Sequence, residues 1–203
     1  MIQIAVQETD YFLPEDGQIA EAEFLKLLNN PAETWIGAFG FTLQPMFDEI
    51  LKADAAGVKI HILLDHSQSG GTAEHYKVQD LVNRMKNGDV TITTAGLNSG
   101  KPSQIWHFKG MVVDQQDGTP PDCWEGRTNF SESAWFQGNS ARVFASQDWA
   151  DKFTAQQQAH TAWARANEPQ YQLKVGDPVV PPTPKGKKVK VKVVKTAKTK
   201  KGK

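Results

Sequence analysis

The chain has 203 residues, 23 basic and 23 acidic side chains, and 39% hydrophobic residues. That is enough apolar material for one packed domain, and it excludes a collagen-like or wholly disordered chain. No stretch approaches the ~20 apolar residues of a membrane-spanning helix. The opening MIQIAVQETD lacks the layout of a secretory signal. The single cysteine, Cys123, cannot form an internal disulfide, so a cytoplasmic location is expected.

The zero net charge conceals a split. Residues 185–203 hold ten lysines and no acid, which leaves 13 basic against 23 acidic side chains in residues 1–184. An acidic body of formal charge −10 is followed by a +10 tail.

In chain order, Glu21 to Asn29 reads as a helix with Phe24, Leu27 and Leu28 inward. Thr34 to Phe41 is short, apolar and glycine-containing, as in a buried strand. Pro45 to Ala55 is a helix with Met46, Phe47, Ile50 and Leu51 on one face, ended by Gly57. Val58 to Leu64 is a strand. Glu74 to Lys86 is a helix closed by Asn87-Gly88. Val90 to Thr94, Ile105 to Val113 and Arg142 to Ala145 are strands. Ser146 caps a last helix that places Trp149, Phe153, His160 and Trp163 near one face. Strands alternating with helices predict an α/β sandwich around a mixed sheet. The domain is placed at 1–168, a proline-rich linker at 169–184 and a disordered lysine-rich tail at 185–203. The stretch from Gln115 to Glu125 reads as a long loop that covers the site.

The most informative segment is Ile105-Trp-His-Phe-Lys-Gly-Met-Val-Val-Asp114. On a strand, His107 and Lys109 project from the same face, and Asp114 has the opposite parity. An imidazole beside an ammonium suits a phosphodiester: histidine attacks phosphorus or delivers a proton, and lysine offsets oxyanion charge. Gly126-Arg-Thr-Asn-Phe-Ser131 adds further phosphate donors. His61, Asp65, His66 and His75 match no metal-ligand spacing. Cys123 reads as an incidental loop thiol. Trp149, Phe153 and Trp163 read as the core face of the last helix.

HFKGMVVD is H-x-K-x4-D, and GRTNFS is similar to the G-S-x-N-F-S/T element that follows that motif in the phospholipase D superfamily. The upstream GVKIHILLDHSQSGG also resembles a strand and polar loop of that family. The resemblance covers roughly residues 20 to 167. It implies a phospholipase D-like fold and a metal-independent phosphodiesterase that needs no cofactor. Only one motif is present, and short single-motif members of the family, bacterial endonucleases among them, form homodimers. One histidine cannot occupy both faces of the phosphorus, and a two-fold dimer supplies His107 twice. The resemblance assigns His107 as nucleophile and general acid, Lys109 and Asn129 as holders of the phosphoryl oxygens, and Asp114 as an orienting residue. Arg127, Thr128, Ser131, Asn139 and His66 are the candidates for substrate binding.

The chain departs from the family at two points. Arg127 stands where serine is usual. Asn139-Ser140-Ala141 keeps an amide but lacks the acid that supports the nucleophilic histidine, and Glu132 or Glu125 is a candidate replacement. The expected partner is nucleic acid, DNA or RNA, recruited by the lysine tail through its phosphates. A phospholipid substrate is the weaker alternative, because no membrane anchor is expected, and the tail lacks the apolar face with which an interfacial helix binds a membrane. A phosphate-binding module without turnover is a third reading, motivated by Ala141.

Overall fold

A computed structural model describes residues 8–29, 31–69, 74–96, 106–115 and 118–180. The lysine-rich tail and Ile105 lie outside these residues. In chain order the elements are β1 (Thr9–Phe12), α1 (Gly17–Leu27), β2 (Glu33–Ala38), α2 (Gln44–Ala56), β3 (Lys59–Asp65), α3 (His66–Ser69), α4 (His75–Arg84), β4 (Val90–Ala95), β5 (Lys109–Asp114), β6 (Asp122–Gly126), β7 (Ser140–Ala145) and α5 (Gln147–Asn167). Pro45 stands in the first turn of α2, where its missing N–H leaves no helical bond unmade. Gly57 ends that helix in the left-handed region at φ 75°. The Ser146 side chain caps α5 by accepting a hydrogen bond from Trp149 N–H at 3.2 Å.

The seven strands form one sheet in the order β1-β7-β6-β5-β2-β3-β4. β2, β3 and β4 run parallel; β5 runs antiparallel to β2, and β6, β7 and β1 continue antiparallel from there. The mixed sandwich expected from the sequence is therefore present. Side chains alternate across it as the pleat requires. Met111 and Val113 of β5 face a core built with Phe24 of α1, Met46 and Ile50 of α2 and Leu81 of α4. Val112 faces the other way, onto Phe153 and Ala150 of α5.

Several expectations are corrected. β5 begins at Lys109, so His107 lies in the segment that enters the strand rather than on it. Gln115 to Glu125 is not loop throughout: Asp122–Gly126 is the strand β6, and the ends of β5 and β6 that the remaining stretch joins, Asp114 and Asp122, lie at the sheet edge opposite His107. Cys123 is a buried core thiol on β6, and burial pushes it up to about 12. Trp163 is 44% exposed, because Phe153, Gln157 and Ala164 occupy the inward positions of α5.

Residues 169–177, expected as the start of a linker, are bound to the body. Gln172 accepts from Thr94 N–H at 3.0 Å and donates to the Thr94 carbonyl at 2.9 Å, occupying the open edge of β4. Gln79 then donates to the Lys174 carbonyl and Asn83 to the Asp177 carbonyl, leading the chain down α4.

Trp124 sits at the centre of the larger core, with Tyr11, Phe24 and Trp135 within 6.0 Å, centroid to centroid. Its indole nitrogen is buried without a hydrogen-bond partner. Aromatic packing, not a hydrogen bond, therefore holds it. Trp124→Ala is expected to lower unfolding free energy by about 3–5 kcal/mol, and Trp124→Phe by no more than about 2 kcal/mol. Urea denaturation of the two variants beside wild type measures the difference.

Candidate active site

The carboxyl ends of β2, β3, β4 and β6 and the amino ends of β5 and β7 all reach one edge of the sheet. Ala38, the last residue of β2, pairs with Lys109, the first of β5. The chain beyond β2 then continues as Phe39-Gly40-Phe41, and the loop after β6 is bound against it. Phe130 N–H donates to the Gly40 carbonyl at 2.9 Å, and Thr42 N–H donates to the Phe130 carbonyl at 2.7 Å. His107, Lys109 and Asn129 are thereby gathered around three consecutive residues.

His107 is exposed and Lys109 is buried to 6% exposure. The Lys109 ammonium lies 2.9 Å from Nε2 and 3.1 Å from Nδ1 of His107. The Phe39 ring packs edge-on against the His107 ring at 4.4 Å and beneath the ammonium at 5.1 Å. Burial and the adjacent ammonium hold His107 below its ordinary value, opposed by the negative charge of Asp65. Burial lowers Lys109 to about 8, again opposed by Asp65. At neutral pH the pair is a neutral imidazole beside a cation, which suits a nitrogen nucleophile and an anion holder.

Asn129 packs on Gly40. A Cβ placed at Gly40 would come within 3.1 Å of Asn129 Cγ and 3.4 Å of Glu74 Oε1, so this glycine is what lets the amide and the carboxylate approach. Asn129 Oδ1, Glu74 Oε2 and His66 Nδ1 are buried without hydrogen-bond partners. Glu74 is raised to about 7, chiefly by burial and secondarily by Asp65, against a backbone hydrogen bond from Phe41 and the charge of Lys77. His66 begins α3 at the end of β3, with its ring 4.5 Å from that of Tyr171. Burial lowers its value.

Other candidates are not brought to this point. Asp114 is at the opposite end of β5, ~17 Å along the strand from Lys109. Its carbonyl accepts from Ala32 N–H at 2.7 Å. Thr128 is fully buried, with no surface to offer a substrate. Asn139 is engaged in a turn: its amide donates to the Ala134 carbonyl at 3.2 Å and its own carbonyl accepts from Leu13 N–H. Ser131 opens that same turn. Arg127 is exposed one strand further along the site edge, where it lines a cavity of about 330 Å³ with Phe12, Glu125 and Arg142. Among the described residues, no group of three or more His, Cys, Asp or Glu side chains is placed to hold a metal ion. His61 instead stacks on Trp35 at 4.0 Å and bonds Glu33 at 2.8 Å.

A profile of the cardiolipin synthase, PLD-like domain matches residues 24–163. The chain belongs to this PLD-like family. Compared with curated proteins by sequence, it matches none. NucT from Helicobacter pylori has a similar structure, with a TM-score of 0.65 and 16% identity over 76% of this chain and 95% of that one. Nuc from Salmonella typhimurium, described as a phospholipase D family member, gives 0.60 and 21% over 76% and 93%. A phosphatidylserine synthase from Haemophilus influenzae gives 0.57 and 12% over 78% of this chain but 39% of its own. At these identities the likenesses show the PLD-like fold.

Asp65 and Glu74 border the candidate site, and motif spacing misses them. Their one sequence signal is position: a carboxylate at the end of a parallel strand, and another at the head of α4. Glu74 also has a measurable consequence. Its folded value lies above the ordinary 4.5, so the folded state binds more protons than the unfolded state between 4.5 and about 7. Its contribution to stability is complete below that window and is lost as pH rises through 7. Glu74→Gln removes the charge and is expected to be more stable than wild type by about 1–2 kcal/mol at pH 8, with the advantage fading toward pH 5. Urea denaturation at the two pH values checks it.

Proposed function

We propose that the protein is a metal-independent phosphodiesterase that cleaves nucleic acid through a phosphohistidine, with its site completed by a second copy of the chain. The observation that carries this reading is the His107–Lys109 contact beside Asn129 at the β2–β5 seam of a PLD-like fold. The nucleophile is a side chain, so the reaction needs no metal-activated water.

A substrate phosphate competes for the Lys109 ammonium and draws it away from the His107 ring. A ring nitrogen of His107 then attacks phosphorus, a P–N bond forms, and the P–O bond to the leaving alcohol breaks. The departing oxygen takes a proton from the partner's His107, which enters the cycle in the minor imidazolium form. That imidazole, now neutral, accepts a proton from water as the water attacks phosphorus. The P–N bond breaks and both histidines return to their starting states. Lys109 and Asn129 hold the phosphoryl oxygens as charge builds, and Arg127 lies along the same edge to bind a neighbouring phosphate.

The preference for nucleic acid rests on charge. The body carries −10 and repels a polyanion, and the ten lysines of residues 185–203 reverse that locally. A 19-residue tail extends to about 65 Å at most, far enough to reach the site edge from the end of α4. NucT and Nuc are matched over nearly their whole lengths, whereas the phosphatidylserine synthase is matched over 39% of its chain. That pattern favours the small, single-motif architecture. Among the described residues, no helix is long and apolar enough to cross a membrane.

Labelled single- and double-stranded DNA and RNA, incubated with excess EDTA, test the reading. Wild type is expected to cleave, and His107→Ala to lose at least about 1,000-fold in rate while remaining folded and dimeric. Cleavage that EDTA abolishes, or that survives His107→Ala, rejects it. Deleting residues 185–203 is expected to raise KM about tenfold at 50 mM salt and to leave kcat unchanged, with the difference closing at 500 mM. Steady-state kinetics at the two salt concentrations measure this.

A further inference from the structure

The negative charge that His107 and Lys109 feel comes from Asp65, the last residue of β3. Asp65 is fully buried. Three donors converge on its oxygens: Ser67 N–H at 2.8 Å, the Ser67 hydroxyl, and Trp106 N–H. The last of these is the residue immediately before His107. The chain entering β5 is thus tied to the end of β3, two strands away.

The two acids that the sequence offers in place of the missing one are placed elsewhere. Glu125 is held by Arg142 at 2.8 and 3.2 Å. Glu132 is on the exposed turn after Ser131. Position 141 carries no acid: Ala141 is buried opposite Gly126, one step beyond the Gly110–Glu125 pair and so level with Lys109. The charge of Asp65 acts on His107 and Lys109 on the β5 side, on His66 of α3, on Glu74 at the head of α4 and on Glu168 at the end of α5. Glu74 and Glu168 are both raised, by burial first and by Asp65 next. Two of the three carboxyls therefore lean toward the neutral form, and the third, Asp65, is the one that three donors hold.

We propose that Asp65 is the positioning carboxylate of the site: it fixes the backbone that delivers His107 and sets a negative charge beside the His107–Lys109 pair. Its part in turnover rests on the proposed phosphohistidine chemistry. There it stabilises the imidazolium that forms when His107 takes a proton, and it keeps Lys109 charged for the phosphate. Ser67 and Trp106 act on Asp65 and not on the substrate.

Two variants separate charge from hydrogen bonding. Asp65→Asn keeps the size and removes the charge; Ser67→Ala removes a hydrogen bond and keeps the charge. The readout is the His107 imidazole titration by NMR, assigned by its loss in His107→Gln. In Asp65→Asn the midpoint is expected to fall by about half a pH unit or more, and in Ser67→Ala to stay in place. A merely structural role for Asp65 would not move the titration in a variant with native amide dispersion, and an unmoved midpoint in such a variant overturns the proposal. Should Asp65→Asn fail to fold, Lys109→Met reads the same coupling from the other side. The Asp65 carboxyl titration, followed by carbon NMR, is then expected to rise, and an unmoved value overturns the proposal. EDTA-resistant cleavage by Asp65→Asn is expected to fall about 10–100-fold in kcat with KM nearly unchanged. A shifted imidazole in a protein that cleaves no diester refutes the proposed function and leaves the placement of Asp65 standing. Cleavage with an unshifted imidazole does the reverse.

Discussion

The pairing of Ala38 with Lys109 joins the two halves of the sheet, and the candidate site depends on it. On one side of this seam the strands run parallel, and on the other they alternate. From β2 the chain moves outward through β3 to β4, then returns to the other flank of β2 as β5. Where the direction of winding changes, the connections leave in opposite directions and open a crevice beyond the carboxyl end of the strand. Phe39 and Gly40 stand in that crevice, with His107 on one and Asn129 on the other. The motif residues are 22 apart in sequence and meet because both of their segments are bound to the end of β2.

The same placement costs stability. Lys109 starts a strand whose next four residues are all buried, and its ammonium is lowered to about 8 by that burial. Glu74 is raised by burial at the other side of Gly40. Both groups would be more stable in water in their charged forms. A fold selected for stability alone would place apolar side chains there. The site instead keeps a cation, two acids raised toward neutrality and a buried carboxylate within one cluster, the kind of unfavourable grouping that marks functional positions.

Much of the fold was legible because its central strands carry strong signals. KIHILL and the apolar run of β5 read as strands, and Pro45 and Gly57 bracket α2 almost to the residue. β6 was missed because both of its faces are buried: Cys123 and Trp124 enter opposite cores, so no polar alternation marks the strand. β1 was missed because it is a four-residue edge strand with one buried side chain. The His107–Lys109 pair was legible from spacing, since contact at i, i+2 survives even though the strand starts only at Lys109. Asp65 and Glu74 were not, because what brings them to the pair is the order of strands and not any local pattern.

Glycine completes the geometry on the other side of the sheet. One step from Ala38 and Lys109, Gly37 pairs with Gly110 across the same seam. A Cβ at Gly37 would lie 2.3 Å from the Gln157 amide nitrogen, and one at Gly110 would lie 2.9 Å from Phe153. Both neighbours belong to α5, so the helix is seated directly on backbone at this pair. Seating it so closely fills the far face of the seam with Phe153 and Phe108, which pack at 5.2 Å. Phe108 lies between His107 and Lys109 in the chain; it packs on the α5 face, while Lys109, the first residue of β5, turns to the opposite one, where its ammonium meets the His107 ring. The side-chain-free pair under α5 is therefore part of what aims the imidazole and the ammonium at the same point.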